Sequence, residues 1–183
     1  MKNLILLGDS ICISYREKVK EMLEGKATVA YPEENCRWSG YMYNTLRYWL
    51  PELPKPDVIH FNSGIWECVH LYGESEPFYT TEDYVRDVMR VYRELCKTGA
   101  KVIFGTTTPI TEHVKLYDHE VQKNLDAVLP VLKAAGCEIN DLNAVVRADK
   151  GRFIIPDDGC HLTEDGAQAC AEAVVKAVLP YLE

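Results

Sequence analysis

Short apolar runs alternate along this chain with stretches whose apolar residues recur at helical spacing. Leu4-Ile5-Leu6-Leu7 has no polar interruption, the pattern of a strand buried on both faces of a parallel sheet. It centres a predicted strand over about residues 3–8, and a helix over about 14–24 follows, closed by Gly25. Strands are predicted again at about 26–31, 57–62, 101–105 and 137–140 from their β-branched and apolar runs. Between them lie helices at about 40–50, stopped by Pro51, and from Thr80 or Thr81 to about Lys97. A further helix at about 118–135 holds Pro130, which is expected to bend or break it. The last helix starts at the cap Thr163 and is expected to stop near Pro180. Ala167, Cys170, Ala171, Val174 and Val178 keep a 3.6-residue period in it, so one face docks on the sheet. Strand–helix alternation of this kind predicts a three-layer α/β/α architecture around a parallel five-stranded sheet.

The 183 residues contain no repeat and no linker long enough to divide them, so one domain over 1–183 is expected. A net charge of −8 argues against nucleic acid or an anionic membrane as partner and leaves a neutral small molecule open. The seven cysteines are odd in number and form no C-x-x-C pair, which fits free thiols in a reducing compartment. The apolar run after Met1-Lys2-Asn3 is too short for a secretory h-region, and no stretch has the apolar length of a membrane span. A cytoplasmic location is the expectation. The oligomeric state cannot be read from the sequence.

Gly8-Asp9-Ser10 puts a serine at the carboxyl end of the first strand, where open α/β sheets gather their ligands. A serine there has its side chain above the sheet and its amide at a helix N-terminus, where the amide can serve an oxyanion. Taken alone, Ser10 reads more readily as a helix cap, and the C-terminal block shifts the reading. Asp158-Gly159-Cys160-His161 supplies a carboxylate and an imidazole three residues apart, so a single turn can deliver both. Nucleophile, base and orienter are the three groups a serine hydrolase needs. Asp157 is an alternative orienter, but the i, i+3 relation favours Asp158. Cys160 beside His161 is read as packing, since adjacent residues in a turn point apart.

Gly8-Asp9-Ser10 and Asp158-x-x-His161 resemble the first and last blocks of the SGNH, or GDSL-type, hydrolase family. The resemblance spans nearly the whole chain. It implies a flavodoxin-like sheet of order 2-1-3-4-5 and ester hydrolysis without cofactor or metal. It also implies Ser10 as nucleophile, His161 as general base and Asp158 as its orienter. The family's second block is a glycine whose amide serves the oxyanion hole, and Gly40 in Trp38-Ser39-Gly40-Tyr41 matches it. Its third block, usually Gly-x-Asn-Asp, stands here as Phe61-Asn62-Ser63-Gly64-Ile65-Trp66-Glu67, with asparagine and glycine exchanged. A similar Asn-x-Gly-x-x-acid form characterises a branch of the family. The oxyanion hole is therefore expected to comprise the amides of Ser10 and Gly40 with the side chain of Asn62, which faces Ser10 across the crevice in that sheet order. By itself Asn62 also suits a turn before Gly64.

Asp9, Arg37, Trp38, Gly64 and Trp66 are the expected pocket residues, with the two tryptophans favoured as apolar walls. His60, Cys68 and His70 form no compact ligand set for a metal. His113 and His119 follow the fourth strand and are placed at the rim of the cleft. The reading is an esterase of a small-acyl ester, with an O-acetylated carbohydrate as first substrate. A thioesterase or lysophospholipase remains open, as does a non-catalytic sugar- or polyol-binding protein on the same fold.

Overall fold

The computed structural model describes residues 1–111, 113 and 115–183. Five parallel strands form one sheet in the order β2-β1-β3-β4-β5. They are β1 (Lys2–Leu7), β2 (Ala27–Ala30), β3 (Val58–Asn62), β4 (Lys101–Gly105) and β5 (Glu138–Asn140). β1 lies between β2 and β3, with Leu4 opposite Val58 and Leu7 opposite Phe61. Leu4 to Leu7 are accordingly buried on both faces, which is why that run tolerates no polar residue. Phe61 and Phe104 meet edge to face at 5.1 Å and join β3 to β4.

The helices are α1 (Ser10–Met22), α2 (Ser39–Glu52), α3 (Thr81–Cys96), α4 (Asp118–Ala134), α5 (Leu142–Arg147), α6 (Lys150–Phe153) and α7 (Glu164–Leu182). α1 packs on α7 at one face of the sheet, while α2, α3 and α4 form a row on the other. Right-handed crossovers in a sheet that grows outward from β1 require this division. It makes the carboxyl ends of β1 and β3 adjacent at the point where the winding reverses.

The stops expected at Pro51 and near Pro180 fall within two residues of the observed ends, and Pro130 does not break its helix. Pro51, Pro130 and Pro180 each lie inside a helix, and those helices run on to Glu52, Ala134 and Leu182. All three prolines are exposed. The residues whose carbonyls they leave without an i+4 donor, Arg47, Asp126 and Lys176, are exposed too, so each proline lies on the solvent side of its helix. α1 begins at Ser10 rather than near residue 14, because Asp9 caps it. α5, α6 and a single 3₁₀ turn (Trp66–Cys68) were not predicted. They are too short to develop a hydrophobic period.

Candidate active site

The strand-to-helix turn at Gly8-Asp9-Ser10 is built on close approach. A Cβ on Gly8 would stand 2.0 Å from Asn62 Oδ1 and 2.5 Å from Cys12 Cβ, so only glycine lets β1 leave the sheet this near to β3. Asp9 is fully buried. Its Oδ1 accepts from the Ile11 amide at 3.0 Å and from Asn62 Nδ2 at 3.1 Å. The capping task that the sequence left open for Ser10 thus falls to Asp9, and the Ser10 side chain is released from it. As the first helical residue, Ser10 also holds its amide in the turn whose N–H groups have no helical acceptor.

The second half of the site arrives on the loop before α7. Ile154 and Leu162 form an antiparallel bridge, and the Ile155 amide donates to His161 O at 2.8 Å, so the loop is closed at its neck. Its tip is held by the Thr111 amide, which donates to Gly159 O at 2.8 Å. Within it, Asp158 Oδ1 accepts the amides of Cys160 and His161, both at 2.8 Å. Asp158 Oδ2 lies 2.8 Å from His161 Nδ1, and His161 Nε2 lies 2.9 Å from Ser10 Oγ. Partial burial works to raise the Asp158 carboxyl, but the two amides and the ring outweigh it and hold the group below its usual range. An ionised carboxylate accepts only, so Nδ1 carries the ring proton and Nε2 accepts from the Ser10 hydroxyl. Asp157, the alternative orienter, is exposed. Burial pushes the Cys160 thiol up to about 12, which removes it as a thiolate nucleophile.

Gly40 occupies the second position of α2, where a Cβ would stand 2.5 Å from the Tyr79 hydroxyl oxygen and 3.2 Å from Asp87 Oδ2. The residue at the cap position of that helix is Trp38, which has no side-chain acceptor to offer. Glu67 substitutes from a distance. Its Oε1 accepts the Ser39 amide at 2.7 Å and the Ser63 hydroxyl at 2.8 Å, tying the first turn of α2 to the exit of β3. Burial raises the Glu67 carboxyl, against the lowering effect of those two donors. This residue was missed from the sequence. Its acidic position in the third block was the available signal, but the partner lies 28 residues away.

Asn62 is buried, and its amide group is engaged by Asp9 and by the Tyr15 hydroxyl at 3.5 Å. Burial lifts Asp9 to about 6, opposed by Asn62, by the Ile11 amide and by the charge of His161. Gly64 sits against the loop that leaves β4, where a Cβ would stand 2.0 Å from Thr107 Oγ1. Arg37 is exposed, with its guanidinium 4.7 Å over the Tyr41 ring.

Ser10 and His161 open into a cavity of about 450 Å³. Trp38 and Trp66 line it, their rings 6.3 Å apart, and Phe78 meets Trp38 edge-on at 5.8 Å. The other expected pocket residues, Asp9, Arg37 and Gly64, do not line this cavity, and neither do Gly40 and Asn62. Asp9 and Gly64 are buried behind it, whereas Arg37 points into solvent. His113 is in the lining. His60 is buried and held neutral, near 4, with Asn140 Nδ2 donating to its ring. His70 pairs with Glu120 at 2.9 Å. Among the described residues no group of three or more His, Cys, Asp or Glu is placed to hold a metal ion. No helix among them is long and apolar enough to cross a membrane.

Neither a family model nor a curated protein matches the sequence. Solved structures do match. A lipase/acylhydrolase from Enterococcus faecalis superposes with a TM-score of 0.84 at 18% identity, over 100% of this chain and 98% of that one. The acetyl xylan esterase AlAXEase gives 0.79 at 19% identity, over 96% and 99%. A carbohydrate acetylesterase family member from Sinorhizobium meliloti gives 0.76 at 15% identity, over 100% and 99%. The fold is that of these hydrolases. It agrees with the three-layer α/β/α sheet of order 2-1-3-4-5 that the SGNH/GDSL resemblance implied.

Proposed function

We propose that the protein is a serine esterase of the SGNH/GDSL type, hydrolysing a carboxylic ester through Ser10, His161 and Asp158. The observation that carries this reading is the hydrogen-bonded chain Ser10 Oγ–His161 Nε2 and His161 Nδ1–Asp158 Oδ2, at 2.9 and 2.8 Å, opening into a cavity. His161 takes the Ser10 proton as Oγ adds to the ester carbonyl. Asp158 keeps the ring in its Nδ1–H tautomer and stabilises the imidazolium that forms. The carbonyl oxygen becomes an oxyanion next to the Ser10 amide and the positive end of α1, with the Gly40 amide as second donor. Collapse of the tetrahedral adduct expels the alcohol, which receives the proton from His161, and water releases the acyl group by the same steps in reverse order.

Asn62 enters this reading as a positioning residue that holds Asp9, and through it the start of α1. Glu67 likewise holds the turn that carries Gly40. The names of several solved structures of this fold make O-acetylated carbohydrate a substrate to test. Turnover of p-nitrophenyl acetate is the direct assay. Ser10→Ala is expected to lower kcat by at least about 10³-fold without loss of folding. Unchanged turnover in that variant removes Ser10 from the mechanism. Ligand binding without any turnover would instead favour the sugar- or polyol-binding alternative.

A further inference from the structure

The walls of the cavity describe the part of the substrate that the catalytic groups leave undetermined. Ile65, Trp66, Val69, Leu71 and Phe78 line it together with Trp38. Leu116 adds to them, and so does the protonated thiol of Cys160, which behaves as a small apolar group. The polar side chains among the described lining residues are Ser10, His161, His113 and Lys115. Ser10 and His161 are committed to each other, and His113 Nδ1 accepts the Lys115 amide within its own loop. A sugar ring against such walls gives up the solvation of its hydroxyls with few partners in exchange, which is unfavourable. An acetyl group fills only a small part of about 450 Å³, a volume in the range of pockets that enclose whole drug-sized ligands. The same exchange favours a hydrocarbon chain, which gains from every methylene it withdraws from water.

We infer that this cavity is an acyl-chain pocket, and that the preferred ester carries an unbranched apolar acyl group of medium length rather than acetyl. The inference rests on Ser10 being the nucleophile, and it narrows the substrate class from esters in general to medium-chain acyl esters. Trp38 and Trp66 flank the chain, and Val69, Leu71 and Phe78 complete the walls. The alcohol is placed on the side of His161, which is half-exposed.

Two arms of one experiment test this. In the first, kcat/KM is measured for p-nitrophenyl acetate, butyrate, hexanoate and octanoate and for an acetylated xylooligosaccharide. The inference expects a rise of about two- to fourfold per added methylene until the pocket is full. It also expects Leu71→Ser, at a position already 37% exposed, to lower the hexanoate-to-acetate ratio, and Leu71→Trp to move the optimum to shorter chains. In the second arm, Ser10→Ala is titrated with acetate, hexanoate and octanoate and followed by tryptophan fluorescence. Two of the three tryptophans line the cavity, so the signal reports its occupancy. Tighter binding of the longer carboxylates supports the inference even if no ester is turned over, a result that would remove the hydrolase reading alone. Acetyl esters hydrolysed best, with no dependence of binding on chain length, overturn the inference and leave the esterase standing.

Discussion

Asp9 sits one residue before the serine, fully buried, with Oδ2 unpartnered among the described residues. Its carboxyl is raised from 3.8 to about 6. The folded protein therefore binds this proton more tightly than the unfolded chain does. The resulting stabilisation is complete below about pH 4 and is lost as pH rises through about 6. Replacing the acid removes that dependence. The stability difference between Asp9→Asn and wild type is expected to move in the variant's favour by about 2 kcal/mol from pH 4 to pH 8, measured by urea unfolding. A difference independent of pH would mean that Asp9 is not protonated on burial. The residues of the Ser10–His161–Asp158 chain were legible in the sequence because each belongs to a short local signal: a strand followed by Gly-Asp-Ser, and an Asp three positions before a His. The supporting residues were not. Asn62 acts on Asp9 across two strands and Glu67 acts on Ser39 across 28 residues, and no spacing rule reports such contacts.

At the scale of elements, the exit of β1 is the tightest junction in the site. Gly8→Ala would press a methyl group into Asn62 Oδ1 and Cys12 Cβ, neither of which can move without shifting β3 or α1. We expect a loss of about 1–3 kcal/mol in stability, with a fall in kcat larger than any change in KM because Ser10 shifts relative to His161. Chemical unfolding and steady-state kinetics on the variant read both. Strand positions were legible from their unbroken apolar runs, and helix starts from Thr80 and Thr163, which cap α3 and α7 through their hydroxyls. Helix ends were legible to within two residues, at Met22, Glu52, Cys96, Ala134 and Leu182, although α2, α4 and α7 each run past a proline. What decides a proline's effect is where the carbonyl one turn earlier points. At Pro51, Pro130 and Pro180 that carbonyl belongs to a solvent-facing residue, a property of the packed molecule rather than of the local sequence.

Across the whole molecule, the site is a product of the winding. Residues 10 and 161 are separated by most of the chain, yet the reversal of strand order at β1 and β3 and the docking of α7 on α1 bring them to one hydrogen bond. The sheet order was legible only through the resemblance of the two end blocks to the SGNH/GDSL family, and the observed order agrees with it. Of the cavity, the tryptophan walls Trp38 and Trp66 were legible and the rest was not: Val69, Leu71 and Phe78 come from an irregular stretch with no hydrophobic period. The most direct test of the account is covalent labelling of the folded protein with a fluorophosphonate probe, located by mass spectrometry of its peptides. The account predicts a single adduct on Ser10, and its loss or severe slowing in His161→Ala, where no base remains to activate the hydroxyl. Labelling elsewhere, or none under conditions in which the protein is folded, would contradict it.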